Sequence, residues 1–170
     1  TEYASVQDLL DQAEARGEPP LLVIADGVTD PHNLGAIIRT ACAAGAHGLI
    51  IPKRRSVGVS ETVEKVAAGA VEHLKIARVV NLNAAIKELK SRGVWIVGTD
   101  LTGEKELYRQ DLTGPLGVVI GSEGEGMSRL VREQCDFLVK IPMRGNIQSL
   151  NASVASGVIL YEILRQREEE

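Results

Sequence analysis

Short apolar runs alternate along this chain with segments whose apolar residues recur at helical spacing, and that alternation most constrains its fold. Residues 21–25 and 116–121 read as buried strands, and 47–51, 74–80, 94–99 and 137–141 as further strands. Residues 6–15, 31–44, 60–67, 82–91, 128–134 and 152–166 read as helices between them. Asp30 followed by Pro31 is a helix-start signature, and Gly17 and Gly45 supply stops. Such alternation predicts an α/β fold: a mainly parallel sheet with helices on both faces. At 170 residues the chain suffices for one domain, and with one Trp, one Phe and three Tyr its core must be aliphatic.

Several classes drop out on composition. No apolar stretch approaches the roughly 20 residues that span a bilayer, and no signal peptide opens the chain. Cys42 and Cys135 lie in unrelated contexts, so neither a disulfide nor a metal site is expected, and a reducing cytoplasm fits. The net charge of −4 argues against a general nucleic-acid coat, yet it leaves room for a local basic face. Lys53-Arg54-Arg55 is the densest basic run, with Arg129, Arg132 and Arg144 near other polar loops; solvated loop charges are the competing reading.

Three polar, glycine-bearing segments follow apolar runs: 30–35 leading to Arg39, 121–127, and 141–145 running on to Ser149-Leu150-Asn151. Ligands of α/β proteins are held at strand ends, so the three are expected to form one composite site. The 121–127 loop follows Val118-Val119-Ile120 but lacks the Gly-Lys-Ser/Thr of a phosphate loop, and its glycine spacing is not the dinucleotide fingerprint. Glu123 and Glu125 would repel a pyrophosphate; a hydroxyl-bearing or cationic ligand suits it, as does an ordinary tight turn. A nicotinamide oxidoreductase should show its fingerprint after residues 21–25, and Asp26-Gly27-Val28-Thr29-Asp30 does not supply it.

On the helix after Asp30, Leu34, Ile37, Ile38 and Ala41 form the apolar stripe. At about 100° per residue Arg39 falls opposite them, on the side of Gly35, whose missing side chain opens space beside it. An exposed helix arginine is the alternative. Ser149 and Asn151 are both good caps for the final helix; capping accounts for one and leaves the other free. That helix is apolar on two sides, Val154, Val158, Tyr161 and Leu164 against Ala152, Ala155, Ile159 and Ile163, which predicts a homodimer through the C-terminal helix.

Together these segments closely resemble the three motifs of the SpoU (TrmH-like) RNA ribose 2′-O-methyltransferases of the SPOUT superfamily. The resemblance rests on Asp26 with residues 30–41, then 119–127, then 141–145 with 149–155, and spans roughly 21 to 167. The stretch from Val57 to Leu82 is most similar to the bacterial 23S ribosomal RNA guanosine 2′-O-methyltransferases. The resemblance implies a C-terminal deep trefoil knot, against the usual rule, and S-adenosylmethionine as methyl donor, held by Gly121, Ile141 and Leu150. It implies an RNA substrate, 23S ribosomal RNA before transfer RNA, with a non-catalytic RNA-binding module as the rival, and neither membrane nor metal. Residues 1–20 resemble the linker and lead-in helix after an N-terminal RNA-binding domain that this chain would then lack, with 21–170 the catalytic domain. The family gives the proton-removing role to the arginine matching Arg39. A guanidinium holds its proton in proteins, so an electrostatic role toward the phosphate and the developing alkoxide is preferred. Asn33, Glu123, Ser149 and Asn151 are expected to arrange Arg39, ribose and donor.

Overall fold

Helix starts fall where the capping residues put them. In this computed structural model, which describes residues 2–122 and 124–169, α1 (Val6–Arg16) opens on Ser5, whose hydroxyl accepts the Asp8 N–H at 3.1 Å. Asp30 accepts the His32 N–H at 2.9 Å and opens α2 (Pro31–Ala43). Ser60 opens α3 (Glu61–Ala67), Asn81 opens α4 (Leu82–Ser91), Ser128 precedes α5 (Arg129–Gln134), and Asn151 opens α6 (Ala152–Glu168). The strands are β1 (Leu21–Asp26), β2 (Gly48–Pro52), β3 (Ile76–Val79), β4 (Trp95–Thr99), β5 (Lys105–Glu106), β6 (Leu116–Gly121) and β7 (Phe137–Lys140).

All seven strands run parallel, in the order β3-β2-β1-β6-β4-β7-β5. Their C-terminal ends therefore share one edge, with Asp26 of β1 in register with Gly121 of β6. The pleat sorts each strand between two cores. Leu21, Val23 and Ala25 pack with Leu34 and Ile38 of α2, Val63 of α3 and Ile159 of α6. Leu22 and Ile24 pack on the other face with Leu9 of α1, Ile86 of α4 and Val131 of α5. The expected architecture of helices on both faces is what forms.

The structure departs from the apolar-run reading in one short strand and in the end of the last helix. β5 is only two residues, too short to carry a pattern, and α6 continues to Glu168 beyond the expected 166. Arg165 reaches both Glu162 and Glu169 and stabilises that last turn. The end of α6 is also tied to the domain. Gln166 accepts the Leu112 N–H at 2.8 Å and donates to the Gln110 carbonyl at 3.0 Å, while Arg167 donates to the carbonyls of Pro19, Pro20 and Gly114. Among the described residues no helix is long and apolar enough to cross a membrane, and no cluster of His, Cys, Asp and Glu could hold a metal ion.

Candidate functional site

A cavity of about 910 Å³ opens at the C-terminal ends of β4, β6 and β7, within the size range of small-molecule sites. Three turns wall it: residues 99–102 at the end of β4, residues 120–122 and 124–127 at β6, and Ile141 with Met143 after β7. Gln148, Ser149, Leu150 and Asn151 close it ahead of α6. Of the residues singled out by sequence, Gly121, Ile141, Ser149, Leu150 and Asn151 thus share one cavity. Glu123 lies outside the described residues.

The β6 turn is built from backbone. Ser122 and Gly126 exchange both amide hydrogen bonds, at 3.1 and 2.8 Å, and Gly124 and Gly126 take positive φ of 79° and 70°. A Cβ on Gly121 would lie 2.4 Å from the Gly126 carbonyl carbon and 2.5 Å from the Met127 nitrogen. Glycine is therefore obligatory there if the turn is to fold back over the strand end. The turn is pinned from β1, where the Asp26 carboxylate accepts the Ser128 N–H at 2.7 Å. Asn151 caps α6, accepting from the Ser153 N–H and hydroxyl at 2.9 and 2.6 Å. Ser149 does not cap the helix and lies on the cavity wall, which Asn151 also lines.

Sequence reasoning missed the turn after β4. Asp100 and Arg132 face each other there at 2.9 Å, and Arg132 also donates to the Thr102 hydroxyl at 2.7 Å. Burial pushes the Asp100 carboxyl up, but hydrogen bonds from Thr102 and the Arg132 charge outweigh it and hold it below the usual carboxylate range. The pair therefore stays ionised on the cavity wall. Asp100-Leu101-Thr102-Gly103 follows an apolar run and bears a glycine, the same signature as the other loops, so the signal was available. Below it, burial pushes the Cys135 thiol up to about 12 and keeps it neutral beside Met127.

Asn33 and Arg39 do not line this cavity. Asn33 is buried in the first turn of α2. Arg39 is exposed on the outer side of α2, as the helical phase predicts, one turn beyond Gly35. The space left by Gly35 is not open, however: α3 fills it. A Cβ on Gly35 would meet the Val66 Cβ at 2.6 Å and the Val63 carbonyl oxygen at 2.9 Å. That close approach brings the end of α3 under Arg39, whose Nη1 donates to the Ala67 and Ala68 carbonyls at 3.3 Å each. The cationic group thus satisfies the carbonyl end of a helix. Its Nε–H and Nη2 hydrogens have no partner among the described residues, leaving a fixed donor fork facing outward.

A parallel α/β sheet with a strand-end cavity and a helix-held arginine defines the class, and comparison with known proteins places the chain within it. The SpoU rRNA Methylase family model matches residues 20–161. The chain belongs to that family. It is 54% identical over 166 residues to the "Putative TrmH family tRNA/rRNA methyltransferase YacO" of Bacillus subtilis, covering 98% of this chain and 67% of that protein. It is 56% identical over 163 residues to the 23S rRNA (guanosine-2′-O-)-methyltransferase RlmB of Ralstonia nicotianae, covering 96% and 64%. The chain therefore spans about two thirds of the length of these relatives. Among solved structures it resembles the SpoU methyltransferase AviRb of Streptomyces viridochromogenes in complex with AdoMet, with a TM-score of 0.84 and 36% identity over 90% of this chain and 62% of that one. The A. aeolicus TrmH/SpoU tRNA modifying enzyme matches with a TM-score of 0.79 and 36% identity, covering 96% and 85%.

Proposed function

We propose that this chain transfers the methyl group of S-adenosylmethionine to a ribose 2′-hydroxyl of structured RNA, a guanosine of 23S ribosomal RNA in the first instance. The observation that carries the reading is the meeting of two family motifs, 119–127 and 141–151, on one cavity of ligand size. That cavity suits the donor: Ile120, Ile141 and Leu150 offer apolar surface, and a side-chain-free Gly121 lets the 124–127 turn fold back to form the cavity wall. When bound there, S-adenosylmethionine supplies an electrophilic methyl group. Gly121, Ile141 and Leu150 hold it.

The residues of the chain then have to present the 2′-oxygen in line with that methyl group, so positioning dominates. Arg39 offers its free guanidinium donors to the RNA phosphate and to the developing alkoxide, an electrostatic role that needs no loss of its own proton. Asn33, Glu123, Ser149 and Asn151 orient Arg39, the ribose and the donor. Because Arg39 stands outside the cavity of its own chain, we propose that a homodimer joined through α6 sets Arg39 of one protomer beside the cavity of its partner. Support comes from α6, whose Ala152, Ile159 and Ile163 are buried while Val154 and Tyr161 remain about half exposed. The C-terminal deep trefoil knot, the role of 1–20 as a linker after an RNA-binding domain, and a cytoplasmic setting belong to the same reading.

Transfer RNA is the second substrate reading, favoured by the tRNA/rRNA wording of the B. subtilis relative and by a structural neighbour described as methylating C/U34 on tRNA, at 27% identity and a TM-score of 0.79. Labelled methyl incorporation into unmodified 23S, 16S and transfer RNA tests both, with loss of alkaline cleavage at one ribose marking the product. Incorporation into 23S RNA is expected. Donor binding without incorporation into any RNA would leave only a binding module.

A further inference from the structure

Lys53, Arg54 and Arg55 follow directly on β2, and in a parallel sheet this places them on the same edge as the cavity. Only β1 lies between β2 and β6, so the lateral offset from the Gly121 end is two strand spacings, about 10 Å. All three side chains are exposed, and among the described residues none makes a hydrogen bond or ion pair. Nearer the cavity, Arg132 pairs with Asp100 at 2.9 Å and Arg129 makes only an exposed contact with Glu133 at 3.8 Å, while Arg144, next to the cavity-lining Met143, is exposed as well.

The loop carrying these idle charges is braced. The Lys53 N–H donates to the Val79 carbonyl at 2.8 Å, and Arg78 donates to the Lys53 carbonyl at 3.5 Å. Arg78 also lies 5.5 Å over the ring of Tyr3, whose hydroxyl accepts the Val59 N–H at 3.1 Å. Arg55 itself sits at φ 57°. Among the described residues nine glycines take positive φ, and only Arg55 and Ala68 do so with a side chain. Ordinary turn chemistry would put glycine or asparagine at this position. Arg55 instead carries an exposed guanidinium at a position whose backbone would suit glycine.

We propose that Lys53-Arg54-Arg55 grips RNA backbone phosphates flanking the ribose presented at the cavity; this rests on the RNA methyltransferase reading above. Exposed, unpaired cations on a turn anchored at Lys53 suit phosphate contacts, which carry no sequence information. They let a chain of net charge −4 hold a polyanion on one local strip. Tyr3 and Arg78 act as positioning residues, since they hold the loop rather than face the ligand. The effect of the run falls on RNA affinity and its salt dependence, not on the chemical step.

The test uses an unmodified 23S RNA transcript, with binding measured across a salt series and methyl transfer measured in parallel. Replacing all three residues (Lys53→Gln, Arg54→Gln, Arg55→Gln) is expected to flatten the slope of log affinity against log salt by about two. The KM for RNA should rise at least tenfold, with kcat, donor affinity and melting temperature unchanged. Arg55→Gly guards against a folding artefact: it should hold or raise the melting temperature while weakening RNA binding severalfold. Wild-type slope and KM in both variants would overturn the inference while leaving the methyltransferase reading intact. A wild-type chain that binds RNA through this run but transfers no methyl group would do the reverse. A wild-type chain without salt-dependent RNA binding would remove the inference outright.

Discussion

Around Gly121 the chain shapes its site with main chain, turning on glycines in a tight loop over the strand end. Around Arg39 it uses side chains on two regular helices, packed so closely that only glycine fits between them. The first arrangement leaves a cavity with amides and carbonyls near its wall; the second leaves a charged fork on a solid surface. The difference suits two tasks. A small donor needs enclosure and backbone contact, whereas a reacting ribose on a large RNA needs one fixed charge that the macromolecule can approach.

If that division is right, substitutions on the two flanks should separate donor binding from transfer. Arg39→Ala is expected to have the largest effect, lowering methyl transfer by about 10²–10³-fold while donor affinity measured by calorimetry stays nearly unchanged. Loss of donor binding in that variant would mean that the two flanks are not distinct. Gly121→Ala should do the opposite: the new Cβ meets backbone at 2.4 and 2.5 Å, and backbone cannot step aside. Donor affinity should fall at least about tenfold, a cost of roughly 1.4 kcal/mol, with RNA binding retained.

Gly35→Ala sharpens the α2–α3 side of the comparison. Its Cβ must displace Val66 and the Val63 carbonyl, costing about 1–3 kcal/mol in urea unfolding. Because α3 carries the carbonyls that hold Arg39, transfer should suffer more than donor binding. The smallest effect belongs to His47, near the opposite edge of the sheet and outside both flanks. The Leu21 N–H donates to its Nδ1 at 3.0 Å, so Nε2 carries the proton toward Glu18 at 2.8 Å. Burial lowers its pKa below 6.5, opposed by Glu18. The unfolded chain therefore takes up the proton first as pH falls, and this contribution to stability is present above about 6.5 and lost below it. Melting temperature against pH should drop more steeply below 6.5 in the wild type than in His47→Asn, with donor binding at pH 7.5 equal in both.

The elements were legible where local chemistry decides them. Asp30-Pro31, Ser60, Asn81 and Asn151 all start helices, and the strands at 21, 94 and 116 lie within a residue or so of the apolar runs. The stretch at 105–106 was not, because two residues carry no periodicity and pair only through β7. The cavity residues Gly121, Ile141, Ser149 and Leu150 were readable as strand-end loops, and Asp100 could have been, from the turn at 100–103. The space beside Arg39 was read as open because helical phase says which side a residue faces and nothing about what packs there.

Alone, the sequence settled the parallel α/β class, the Asp30-Pro31 helix start, the loops that end the strands and the outward direction of Arg39, since each follows from neighbours within a few residues. Tertiary structure alone decided that α3 fills the gap at Gly35 and lends its carbonyls to Arg39. It alone put Asp100 opposite Arg132, and Lys53-Arg54-Arg55 on the edge that bears the cavity. Those residues lie roughly 30 to 70 positions apart, and only the order in which the elements assemble brings them near one another.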